Sequence, residues 1–191
     1  MSTEAVPRLP PAWRACLDAD RVVVCWHQGV ADRCRMAGIA RELGRQAGAE
    51  LASTGLPPRV LRMSRTATDG LAGLALAWDS PVGLDAEMPG AANDGAAIAL
   101  ALHPDESGAP PEGEDFLWLW TRKEAVLKAL GTGLALDPRR VRTGGRADGW
   151  RRVESPWGGE AHVVSLEAPG RTPAAVAVLG RTAGISVFAS A

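Results

Sequence analysis

The sequence predicts an α+β protein of two lobes, residues 1–88 and 89–191, each with several strands and one long helix. In one stretch, residues 31–52, apolar side chains recur three and four positions apart, which is typical of an amphipathic helix. A second stretch, residues 116–131, is rich in residues that favour helix. Apolar and alternating runs, separated by Pro and Gly turns, predict strands in both halves.

The N-terminal half begins with a Pro-rich stretch, residues 1–15, which we expect to be irregular. A run of apolar residues at 21–26 predicts a strand before the first long helix. After a turn at 54–58, the alternation in residues 59–64 predicts another strand.

Two acidic residues end the next pair of predicted strands. Residues 71–78 and 81–87 flank an Asp79-Ser80 turn and predict a hairpin. Because side chains alternate along a strand, Asp85 and Glu87 are expected on one face. A solvated strand end is the simpler interpretation of these two acids when they are considered alone.

The connection from residue 88 to residue 115 is rich in Gly, Ala and Pro and predicts a short helix at 94–102. It contains no Lys or Arg, and its acids are most simply interpreted as a solvated face. They are Asp94, Asp105, Glu106, Glu112, Glu114 and Asp115.

The second long helix is predicted to start after an Asp115 cap and to stop at Gly131. Phe116, Trp120, Glu124 and Lys128 are four residues apart and therefore share one face. A surface helix with a Glu124–Lys128 ion pair would explain this pattern. Together with Asp85 and Glu87, however, Glu124 would also supply the oxygen ligands that Mg²⁺ prefers, and nearby lysines would neutralise a substrate phosphate.

The chain beyond this helix is basic and then strand-rich. Six arginines could steer an acidic partner or simply keep the protein soluble, and the sequence leaves both interpretations open. They are Arg139, Arg140, Arg142, Arg146, Arg151 and Arg152. Strands are predicted at 150–154, 161–167 and 174–179, with an edge strand at 185–188.

Two of these segments resemble the signatures of the 4'-phosphopantetheinyl transferases, specifically the larger surfactin-synthetase-activating type. Residues 83–87, GLDAE, match its G-[VI]-D-x-E strand except that Leu84 replaces Val or Ile. Residues 120–133, WTRKEAVLKALGTG, match every fixed position of its W-x-x-K-E-A-x-x-K-x-x-G-x-G helix. The resemblance implies two pseudo-twofold-related lobes, each a small antiparallel sheet packed on a long helix.

The resemblance also implies an activity, the transfer of 4'-phosphopantetheine from coenzyme A to a serine of an apo acyl or peptidyl carrier protein, with release of 3',5'-ADP. It implies Mg²⁺ ligands at Asp85, Glu87 and Glu124, and a catalytic role for Glu124 as base. Lys128 would stabilise the leaving phosphate, and Lys123 would be a second cation for the diphosphate.

A coenzyme A phosphate site is expected at Ser64, Arg65 and Thr66, where the family has Ser-His-Ser. Two of the three residues differ from that pattern. Arginine keeps a cationic donor and threonine keeps a hydroxyl, so we expect phosphate binding to be retained.

Composition excludes several other classes of function. A net charge of −1 argues against a nucleic-acid binder driven by overall charge. We expect no transmembrane segment and no signal peptide, and therefore a cytoplasmic location. Cys16, Cys25 and Cys34 fit no metal or redox spacing, and we expect free thiols.

The alternative to an enzyme is a family-derived protein that binds carrier protein or coenzyme A without turnover. The changed residues at 65 and 66 motivate this alternative, whereas the intact acids and Lys128 argue against it. We expect a monomer, because two lobes lie in one chain.

Overall fold

The structure of the protein is a computed structural model, which describes residues 7–29, 32–53, 59–89, 101–106, 113–153 and 159–190. In chain order its helices and strands are α1 (Trp13–Asp18), β1 (Val22–Gln28), α2 (Arg33–Ala52), β2 (Leu61–Thr68), β3 (Leu71–Trp78), β4 (Val82–Ala86), α3 (Gly113–Leu130), β5 (Arg151–Val153), β6 (Ala161–Ala168), β7 (Thr172–Leu179) and β8 (Ile185–Ser190). The predicted α+β class is confirmed.

The chain forms two compact units. One comprises Met1–Asp79 with Ala183–Ala191, and the other comprises Ser80–Thr182. This division differs from the predicted one at residue 88, because β4 joins the second sheet and the C-terminal strand β8 joins the first. The pseudo-twofold relation implied by the family resemblance stays a prediction.

The first unit is a four-stranded sheet in the order β2-β3-β1-β8. The pairs β2–β3 and β3–β1 are antiparallel, and β8 runs parallel to β1 at the predicted edge position. Asp32 caps α2 by accepting a hydrogen bond from the backbone N–H of Arg35. Trp13 and Leu17 of α1, a helix that the sequence did not predict, are buried in the core beneath the sheet.

The second unit is an antiparallel sheet in the order β4-β7-β6-β5. Small side chains let α3 lie close to this sheet. Ala125 and Ala129 of the helix share a buried core with Ala175 and Ala177 of β7. The predicted hairpin of β3 and β4 is wrong, because β4 pairs with β7 and β3 pairs with β1 and β2.

Helix α3 begins earlier than predicted and ends at the predicted glycine. Its first turn contains Asp115, which is therefore not the cap that the sequence suggested. Gly131 has a φ of 73°, a conformation that glycine adopts without a steric penalty. The N–H groups of Gly131 and Thr132 donate to the carbonyls of Lys128 and Leu127, which closes a Schellman motif.

The predicted turn at 54–58 and most of the predicted helix at 94–102 lie outside the described residues. Among the helices that the structure describes, none has the length and apolar character needed to cross a membrane.

Candidate active site

Strand β4 touches the backbone of α3 at Gly83. A Cβ atom on this residue would lie 1.9 Å from the carbonyl oxygen of Ala125 and 2.6 Å from the amide nitrogen of Ala129. Any side chain would therefore push the strand away from the helix. This close contact with the helix backbone explains the glycine of the strand motif.

Two residues beyond this contact, Asp85 meets Lys128. The Lys128 Nζ atom lies 2.6 Å from Asp85 Oδ1 and donates a second hydrogen bond to the carbonyl oxygen of Leu84 at 3.1 Å. Asp85 is only 4% exposed, so its charge is stabilised mainly by protein groups. This ion pair joins the strand motif and the helix motif directly.

Helix α3 has one accessible row. From Phe116 to Ala129 every position is buried except Trp120, Glu124 and Lys128, which are half-buried and four residues apart. Trp120 stacks on Phe116 with ring centroids 6.3 Å apart, as expected for a packing residue. The surface-helix interpretation is therefore wrong, and Glu124 lies in the same row as the lysine that meets Asp85.

Glu87 follows β4 and is half-buried, with its backbone N–H donating to the carbonyl oxygen of Pro173. Within the described ranges, no three or more His, Cys, Asp and Glu side chains are arranged as a group that could hold a metal ion. The carboxylates of Asp85, Glu87 and Glu124 nevertheless fit Mg²⁺ chemically. This ion is usually bound through one or two carboxylates, with substrate phosphates and water supplying the remaining oxygens.

Ser64 and Thr66 lie on one face of β2, and both are buried. Arg65 lies on the opposite face with Met63, where a Cβ atom on Gly44 of α2 would come within 3.9 Å of Arg65 Cδ. The alternation of side chains along a strand predicts this separation. The three side chains therefore do not converge on one face of the strand.

Lys123 is fully buried and forms an ion pair with Glu106, with a distance of 2.7 Å between Nζ and Oε2. This geometry favours a structural role for Lys123 over the predicted contact with a diphosphate. The interpretation of Glu106 as part of a solvated face is wrong, because its side chain is only 6% exposed.

The arginines after α3 are largely engaged with acids of the same unit. Arg139 pairs with Asp137, Arg142 with Asp105, Arg146 with Glu167 and Arg152 with Glu160. All of these arginines remain about half exposed or more, so a docking role stays a prediction.

Comparison with known protein families adds one result. A profile of the 4'-phosphopantetheinyl transferase superfamily matches residues 81–176, just over half of the chain. A comparison with individually curated proteins gave no significant match. The matched region contains Glu124 and also Gly83, Asp85 and Lys128, whose contacts join β4 to α3. Members of this superfamily transfer phosphopantetheine from coenzyme A to carrier proteins, and this chain belongs to the 4'-phosphopantetheinyl transferase superfamily.

Proposed function

We propose that the protein catalyses Mg²⁺-dependent transfer of 4'-phosphopantetheine from coenzyme A to a serine of an apo acyl or peptidyl carrier protein. The observation that carries this proposal is the 2.6 Å contact between Asp85 and Lys128, in the helix row that also contains Glu124. Asp85 and Lys128 are thus held together, with the half-buried Glu124 one turn from Lys128 on the same row of α3. All three lie within the region that the family profile matches.

Asp85, Glu87 and Glu124 are the residues that would hold the metal. When bound, Mg²⁺ would supply charge neutralisation and orientation for the diphosphate of coenzyme A. Asp85 suits this role because a buried carboxylate needs cationic partners, and Lys128 is one of them.

Glu124 and Lys128 would perform the proton and charge chemistry. The serine oxygen forms a bond to the β-phosphorus, and the bond from that phosphorus to the bridging oxygen breaks, which releases 3',5'-ADP. Glu124 accepts the serine proton, directly or through water. Lys128 stabilises the negative charge that develops on the departing phosphate.

For coenzyme A itself, we retain Ser64 and Thr66 as hydroxyl donors to a phosphate. In this proposal Arg65 contributes a cationic donor from the other face of β2. We assign Lys123 no contact with the diphosphate, because three groups already surround its ammonium.

Assignment to the surfactin-synthetase-activating type rests on the paired strand and helix motifs at residues 83–87 and 120–133. The proposal includes a monomer acting in the cytoplasm. The pathway that the carrier protein serves is left open, because the serine chemistry is the same for each carrier.

The test compares Glu124→Gln with Glu114→Gln, an exposed position in the first turn of the same helix. We expect Glu124→Gln to lose at least about 100-fold in the rate of transfer, because it removes both a base and a metal ligand. Glu114→Gln should keep the wild-type rate. Wild-type turnover in Glu124→Gln would refute the mechanism. Binding of coenzyme A by the wild type without transfer to any carrier would favour the alternative, a non-catalytic binding protein.

A further inference from the structure

Between Phe116 and Ala129, helix α3 is buried on almost every side. Its buried positions include Leu117, Leu119, Val126 and Leu127, which point in several directions around the helix axis. A helix with one apolar stripe has its rotation set by hydrophobic burial, but burial alone does not select one rotation for a helix that is buried on nearly all sides. The close approach of Gly83 to Ala125 and Ala129 orients one side of α3, and polar contacts of its buried cations can fix the rotation further.

The buried ion pair of Lys123 and Glu106 is well suited to that task. The Lys123 ammonium is 2.7 Å from Glu106 Oε2 and donates to the backbone carbonyls of Pro138 (3.3 Å) and Val141. An ammonium has three protons to donate, and each of these has an acceptor. Burial lowers the pKa of Lys123, whereas its bond to Glu106 opposes that change.

Both carboxylate oxygens of Glu106 likewise have hydrogen-bond donors. Its Oε1 atom accepts the backbone N–H groups of Thr143 and Gly144, both at 2.9 Å. Its Oε2 atom accepts the backbone N–H of His103 at 3.0 Å, in addition to Lys123. Burial alone would raise the pKa of Glu106, but these hydrogen bonds lower it below its ordinary value.

Arg122, the neighbour of Lys123, is a second buried cation that anchors the same loop. It donates to the carbonyl oxygen of Thr143 at 2.9 Å and to the hydroxyl of Ser165 on β6 at 3.1 Å. Burial lowers its pKa to about 10, an effect that the nearby Arg151 reinforces. Rotation of α3 would withdraw both cations from these acceptors and leave buried charges without hydrogen bonds, a strongly unfavourable change.

We infer that the Glu106–Lys123 ion pair sets the rotation of α3 about its axis, and so directs Glu124 and Lys128 toward the site of Asp85. Both members of the pair are positioning residues and touch neither substrate nor metal. Lys123 directly precedes Glu124, so a turn of the helix that breaks the pair also moves the carboxylate. This inference rests on the proposed function for its catalytic consequence, but its structural content is independent of that function.

Three variants test the inference. Glu106→Gln keeps the shape of the side chain but removes its charge, and Lys123→Met removes the cation. The double variant Glu106→Leu with Lys123→Met replaces the pair with apolar groups, a change that often restores stability when single replacements do not. Asp105→Asn is the matched control, because this neighbouring acid forms an exposed ion pair with Arg142 at 3.3 Å.

In each variant of Glu106 or Lys123, we expect the transfer rate of the folded protein to fall by about 10- to 100-fold. A displacement of the reacting groups near about 1 Å is enough for such a loss. The double variant should regain the wild-type urea midpoint while its rate stays low. Asp105→Asn should match the wild type in both measurements. A double variant, or a folded Glu106→Gln variant, with wild-type turnover would overturn the inference.

A crystal structure of the double variant provides a test that does not need activity. We expect a rotated α3, with Lys128 no longer within 3.5 Å of Asp85, whereas the wild type has 2.6 Å. An unchanged Lys128–Asp85 contact would overturn the inference even if the wild type transferred nothing. A wild type without transferase activity but with the predicted rotation in the variant would refute only the proposed function.

Discussion

Replacement of Gly83 by alanine should separate β4 from α3 and disrupt the site. The added Cβ atom would lie 1.9 Å from the carbonyl oxygen of Ala125, whereas such contacts are essentially never shorter than 3.0 Å. The strand and helix must therefore move apart by about 1.1 Å, the difference between these two distances. Added to the 2.6 Å between Asp85 and Lys128, that movement stretches the ion pair to about 3.7 Å, beyond hydrogen-bonding range.

The expected cost in the free energy of unfolding is about 1–3 kcal/mol, as for other overpacked cores. The transfer rate should fall by about 100-fold, since the reacting groups are displaced by roughly 1 Å. Urea unfolding and a transfer assay measure these two effects separately. Gly48→Ala in α2 is the control, because its Cβ would meet no atom within 4 Å and should stabilise the helix by about 0.5–1 kcal/mol. Wild-type stability and turnover in Gly83→Ala would refute the reasoning.

Two further predictions concern Lys128 and Cys25. Lys128→Ala should lower kcat by about 100-fold and change the affinity for coenzyme A much less, as expected for a group that acts on the departing phosphate. An equal loss in the affinity measured by calorimetry and in kcat would argue against that role. Burial raises the pKa of the Cys25 thiol from 9.0 to about 12. Between these values the unfolded chain loses the proton and the folded protein keeps it, so stability should fall as the pH rises above 9. At pH 10 the loss should be about 1.4 kcal/mol relative to pH 8, and Cys25→Ala should not show it in urea titrations. A wild type as stable at pH 10 as at pH 8 would contradict the assignment.

Local chemistry explains the parts of the fold that were predicted well. The end of α3 at Gly131 follows from a glycine that adopts positive φ, and the bounds of β3 follow from its apolar run and flanking turn residues. The two motifs also identified Asp85 and Lys128, which the structure brings into contact.

Contacts between distant parts of the chain explain what was missed. β4 follows β3 after a turn that would suit a hairpin, yet it pairs with β7, and no local signal distinguishes these partners. Glu106 resembles the exposed acids around it because only its burial against Lys123 separates it from them. The position of Arg65, by contrast, follows from a local rule. Side chains alternate along a strand, which places Arg65 on the face opposite Ser64 and Thr66.

Intact mass of a carrier protein tests the central claim most directly. Purified protein would be incubated with coenzyme A, Mg²⁺ and a panel of apo carrier proteins, with a parallel sample containing a metal chelator. We predict that at least one carrier gains about 340 Da, the mass of the phosphopantetheine arm, only when the metal is present. No gain in mass for any carrier, together with no binding of coenzyme A in a calorimeter, would contradict the account.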